Sequence, residues 1–131
     1  RNAGHPEANL FLALCTARRG EDAVALRLLG TAHRLAPHNA EITRDLGAML
    51  VRTGQAAKAL PLLQRAVTML EQLHNLGGGS SHSRSALASA EVKLAAGLLK
   101  TNQHAKCIAA TRRAEALEPS LKAAVAPLRG L

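Results

Sequence analysis

Apolar positions recur three and four residues apart along most of the chain, the spacing of a helix with one buried face. The clearest stretch runs from Asn39 to Leu73. Ile42, Leu46, Met49, Leu50 and Val51 fall on one side of a first helix, and Ala59, Leu60, Leu63, Ala66, Val67 and Leu70 on one side of a second. Thr53-Gly54 separates them, and glycine ends a helix in the left-handed conformation without a steric penalty. The pattern predicts two helices folded back on one another as a hairpin. Gly47, Ala59 and Ala66 are small enough for the two backbones to approach closely, with Gly47 facing the second helix.

The hairpin recurs. In an earlier copy, offset by 34 positions, Leu12 stands for Leu46, Ala13 for Gly47, Gly20 for Gly54, Ala25 for Ala59, Leu29 for Leu63 and Ala32 for Ala66. In a later copy, offset by 48, Leu94, Leu98, Cys107, Ile108 and Ala114 match Leu46, Leu50, Ala59, Leu60 and Ala66, and Leu117 matches Met69. The 14 extra residues fall in the Gly/Ser-rich tract His74 to Ser85, which predicts a flexible connecting loop. A period of this size signals stacked helical hairpins, each too small to bury its apolar face alone.

Local punctuation agrees. The tract Arg1 to Pro6 is expected to fray, and Pro6-Glu7 suits a helix start, where proline lacks only an orphan N–H and the acid meets the helix dipole. Helix one is expected to end near Arg19, with Gly20-Glu21-Asp22 as the turn; helix two runs to Leu35 or Ala36 and stops before Pro37. Asn39 is a good N-cap with Glu41 in the first turn. Pro61 falls inside the fourth helix and is expected to bend it rather than end it. The third hairpin spans about Arg84 to Leu117, Pro119 closes it, and Ser120 is expected to cap a short helix from Leu121 to Ala126 that covers the last apolar face. This gives one all-α domain over 1–131, with repeats at about 6–38, 39–74 and 86–119, a loop at 75–85 and a C-terminal helix at 120–131.

The Leu46-Gly47 pair, the Gly54 turn, the Ala59, Leu63 and Ala66 series and the closing Pro37 and Pro119 resemble the tetratricopeptide repeat over about residues 6–119. Thr16, Asn102 and Thr111 depart from its pattern, and its usual aromatic residues are missing; the small-residue pattern fits pentatricopeptide repeats less well. The resemblance implies a right-handed solenoid whose first helices line a concave groove for an extended peptide or a helix of another protein. By it, Glu7, Leu10, Leu14 and Arg18, then Glu41, Arg44, Ala48 and Arg52, then Ser89, Val92, Ala96 and Lys100 line the groove. The partner contacts are assigned to Leu14, Arg18, Arg44, Ala48, Arg52, Val92, Ala96 and Lys100, an apolar floor with a basic edge. Some relatives hold a C-terminal carboxylate in this groove. Lys93 matches one such place, whereas Leu14, Asp45 and Ser89 do not match the others.

Aligning the copies puts Arg18, Arg52 and Lys100 at equivalent helix ends. They form either a basic ladder for an acidic partner or three cations that each favour a helix C-terminus by a few tenths of a kcal/mol. Composition narrows the field. The 131 residues carry 17 Lys and Arg against 9 Asp and Glu, a net charge of +8, with a single Phe and no Trp or Tyr. The charge suits acidic proteins, nucleic acid or an anionic surface, and the shortage of aromatics disfavours base stacking. The six histidines form no H-x-x-x-H or H-E-x-x-H pair, no Ser sits in a G-x-S-x-G elbow, and no phosphate-loop G-K-[ST] follows the glycines. No metal, cofactor or catalytic group is therefore expected. Cys15 and Cys107 read as buried small apolar residues. Two thiols without C-x-x-C spacing point to a reducing, cytoplasmic-type compartment. No transmembrane run or signal-peptide pattern is visible, and the start at Arg1 suggests a piece of a longer chain. The leading expectation is a non-catalytic adaptor that binds an acidic or apolar peptide or helix. The alternatives are the repeat region of a larger enzyme, such as a glycosyl- or sulfotransferase, and an RNA-binding helical repeat.

Overall fold

Seven α-helices follow one another in the computed structural model, which describes residues 5–77 and 80–129, the side chains of 124, 126, 128 and 129 excepted. They are α1 (Pro6–Arg18), α2 (Asp22–Leu35), α3 (Ala40–Arg52), α4 (Ala56–Leu76), α5 (Ser81–Lys100), α6 (His104–Leu117) and α7 (Lys122–Arg129), with one 3-10 turn, Pro119–Leu121, before the last. Each helix packs on its neighbour in sequence, and α5 also touches α3 and α7. Such nearest-neighbour packing makes three antiparallel hairpins into an all-α solenoid.

The turn inside each hairpin has the same geometry. Gly20, Gly54 and Asn102 have φ of 81°, 83° and 62°. The residue after each donates its N–H back five residues, Glu21 to Thr16 O at 2.9 Å, Gln55 to Leu50 O at 2.7 Å and Gln103 to Leu98 O at 2.9 Å. This is the left-handed C-terminal cap that satisfies the orphan carbonyls of a helix end. Asparagine reaches the same conformation because its short polar side chain tolerates it. At the start of α3, the Ile42 N–H donates to Asn39 Oδ1 at 3.0 Å, the expected N-cap. Pro6 opens α1, and α4 runs through Pro61 without ending.

Leucine and alanine fill the core. Leu29, Ile42, Leu63 and Leu94 are among its largest fully buried side chains, and Ala13, Ala25, Ala32, Ala59 and Ala66 are wholly covered where helices cross. A Cβ added to Gly47 would stand 2.6 Å from Leu63 Cγ, so the Leu63 side chain of α4 lies directly on the α3 backbone. At Gly97, Leu60 and Val51 lie 3.2 Å and 3.3 Å from where a Cβ would sit, a tight but less close approach of α5 to the second hairpin. One feature had no sequence signal. Asn9, Thr43 and Glu91, at the same place in the three copies, are polar and buried. Thr43 donates to Asn39 O at 2.9 Å, and Glu91 accepts from Arg113 Nε at 2.9 Å.

Four expectations need correction. Most of the tract from His74 to Ser85 is helical rather than a loop: α4 continues to Leu76 and α5 begins at Ser81. The extra residues lengthen both helices, to 21 and 20 residues against 13 or 14 in the first hairpin and α3, and make a projecting arm. Ser80 caps α5 by accepting from the Ser83 N–H at 3.2 Å, and Ser83 Oγ lies 2.7 Å from His74 Nδ1 across the arm. Gly78 and Gly79 of that tract, Arg1 to Gly4 of the N-terminal tract, and Gly130 and Leu131 of the C-terminal helix lie outside the described residues. Cys15 is exposed, not packed. Leu12 is 52% exposed while its equivalents Leu46 and Leu94 are buried, because α3 and α5 each have a preceding hairpin beside them and α1 has none among the described residues. Finally, Ser120 sits inside the 3-10 turn rather than before a helix; α7 starts at Lys122 and buries Val125.

Candidate functional site

The first helix of each hairpin contributes to one groove. Between α1 and α3 it forms a cleft of about 610 Å³, with Ala13, Leu29 and Met49 in its lining and Phe11, Leu14, Arg18, Arg52 and Lys93 around them. Towards the arm it forms a second cleft of about 630 Å³, where Leu70 and Leu73 meet Asn39, Arg44, His82 and Ser89. A third cleft of about 180 Å³ lies between α5 and the 3-10 turn, at Val92 and Leu121. Lys93 is shared by the first and third clefts, and Ser85 and Ser89 by the second and third. The three are therefore stations along one surface.

The groove residues named from the sequence are spread over these stations. Leu14, Arg18, Ala48 and Arg52 line the first cleft, Arg44 the second and Val92 the third. Ala96 is half-buried and Lys100 exposed, and neither lines any of the three. Phe11 and Met49 were missed. Phe11, the chain's single aromatic, stands three and seven residues before Leu14 and Arg18, so helical spacing already put it on the groove face.

The basic edge is more neutralised than its sequence suggests. Arg44, whose side chain is 15% exposed, is held by Asp45 at 3.1 Å and Glu41 at 3.8 Å. Arg52 crosses to the first hairpin, 3.3 Å from Asp22 and donating to Ala17 O at 3.4 Å. Arg18, Lys93 and Lys100 make no ion pair among the described residues. The free cations at the first cleft are thus Arg18 and Lys93, with Arg52 shared. Such a surface can hold carboxylates beside apolar side chains.

The two thiols differ: Cys15 is exposed and lines the first cleft, whereas Cys107 is buried. Burial pushes the Cys107 thiol up from its ordinary value, which keeps it protonated and inert. Among the described residues no group of three or more His, Cys, Asp or Glu is placed to hold a metal ion, and no helix is long and apolar enough to cross a membrane.

No family model matches the chain, and no curated protein matches it. Among solved structures it is similar to MamA 41-end from Desulfovibrio magneticus RS-1, at 18% identity and a TM-score of 0.44, over 87% of this chain and 76% of that one. The hairpin solenoid described above, which resembles tetratricopeptide repeats, rests on the chain's own turns and packing.

Proposed function

We propose that this is a non-catalytic protein-interaction module whose groove binds a segment of another protein bearing acidic and apolar side chains. One observation carries the reading: the cleft of about 610 Å³ combines an apolar lining with Arg18, Arg52 and Lys93. Apolar contact supplies affinity, and unmatched cations at the rim supply orientation and a faster encounter. Arg44 and Arg52 act first as struts within and between hairpins, so the partner's acidic residues meet Arg18 and Lys93. A fluorescence titration with an acidic amphipathic peptide tests this. Arg18→Glu with Lys93→Glu should weaken binding by about tenfold or more at low salt, while a similar double reversal at Arg27 and Arg112, exposed on α2 and α6, should not. Equal loss from both pairs would make the effect one of net charge and remove the groove from the proposal.

A further inference from the structure

The two large stations of the groove differ in charge. At the α1–α3 cleft, Arg18 and Lys93 have no acidic partner among the described residues and only Asp45 is acidic in the lining. At the cleft beside the arm, Arg44 is the one Lys or Arg in the lining, and Glu41 and Asp45 already hold it. That station offers Leu70 and Leu73 as apolar surface, with Asn39, His82 and Ser85 as hydrogen-bonding groups. A carboxylate placed there would gain no free cation and would lie near Glu41. The arm itself creates this station, because Leu73, His82 and Ser85 belong to the lengthened ends of α4 and α5.

We infer that the groove is polar in the directional sense: it takes a partner segment with its acidic residues at the α1–α3 cleft and an uncharged apolar residue under the α4–α5 arm. This rests on the proposed function and adds an orientation to it. Helix α5 is the ruler. His82 at one station and Lys93 at the other are separated by about 16 Å of helix at 1.5 Å per residue, which an extended chain covers in about five residues. An evenly charged polyanion such as RNA fits this division poorly, since its phosphates would face Glu41 at one station as often as Arg18 and Lys93 at the other.

The test uses two synthetic peptides of one composition, each about ten residues long. In one, the glutamates form a block at one end and the leucines sit about five positions away; in the other, they alternate. Both chain directions of the block peptide are made, and a nitroxide label is placed at the acidic end. The block peptide should bind about tenfold tighter than the alternating one, and the label should broaden amide signals of α1 near Arg18 more strongly than those near His82. Leu73→Ser, at a site 57% exposed, should weaken the block peptide several-fold more than the alternating one. Equal affinities, or broadening centred on His82, would overturn the orientation while leaving the groove in place. Failure of every peptide to perturb groove signals would overturn both.

Discussion

Gly47 of α3 lies so close to Leu63 of α4 that a Cβ at position 47 would stand 2.6 Å from Leu63 Cγ and 2.8 Å from its Cδ2. Leu63 is fully buried and has nowhere to retreat without moving a helix. Gly47→Leu should therefore overpack the second hairpin and lower stability by about 1–3 kcal/mol or more, read by urea denaturation. Gly47→Ala should be milder, because the gain in helix propensity, about 1 kcal/mol, offsets part of the clash. An unchanged Tm in Gly47→Leu would contradict the close approach.

The three hairpin turns give a second expectation. Space is open around a Cβ at Gly20 and Gly54, so any loss there comes from the backbone conformation alone. Gly54→Ala should cost about 1–2 kcal/mol, and Gly54→Asn distinctly less, since Asn102 holds the same conformation in the third hairpin. Equal losses for Ala and Asn in thermal melts would contradict that reading.

Glu91 is 1% exposed, and its Oε1 has no hydrogen-bond partner while Oε2 accepts from Arg113. Arg113→Ala would strand this carboxylate and should destabilise by about 1–3 kcal/mol. Adding Glu91→Gln should recover part of the loss, because a neutral amide is less costly to bury than an unpaired charge. A double variant that is less stable than Arg113→Ala alone would show that Arg113 does something else.

His33 supplies the pH dependence. Burial, and then the charge of Arg65, hold its pKa below the ordinary value of 6.5. The unfolded chain therefore takes up this proton at a higher pH than the folded one. The stability tied to neutral His33 is complete above the unfolded value and is lost as pH falls through it towards the lowered folded value. Wild type should lose stability from about pH 7.5 to 5.5 more steeply than His33→Gln, and parallel curves would contradict the shift.

Much of this fold was legible because helix ends are written in a few residue types. Pro6, Asn39 and Gly54 each act where their backbone preferences placed them, and the recurrence of the Gly20, Gly54 and Asn102 turns follows from sequence spacing alone. The arm was not legible. Gly77 to Gly79 and the serines after them carry the composition of a loop, yet a Ser80 cap and a His74–Ser83 hydrogen bond draw helices in from both sides. Letter matching also failed where the neighbour changes: Leu12 shares its repeat position with Leu46 but not its cover. In the candidate site, Leu14, Arg18, Ala48 and Arg52 were named through the resemblance to tetratricopeptide repeats, and they line the first cleft. The ion pairs that tie up Arg44 and Arg52 were not readable, since they depend on which acids the fold brings near.

The most direct test of the groove is amide chemical-shift mapping with an acidic amphipathic peptide on the isotope-labelled chain. Expected are perturbations on the groove faces of α1, α3 and α5 and at the groove-lining Leu29, Leu70 and Leu73, strongest around Leu14, Arg18, Met49 and Lys93 and strongly reduced by Arg18→Glu with Lys93→Glu. Perturbations centred instead on the outer faces of α2, α4 and α6, or persisting undiminished in the charge-reversed variant, would contradict it.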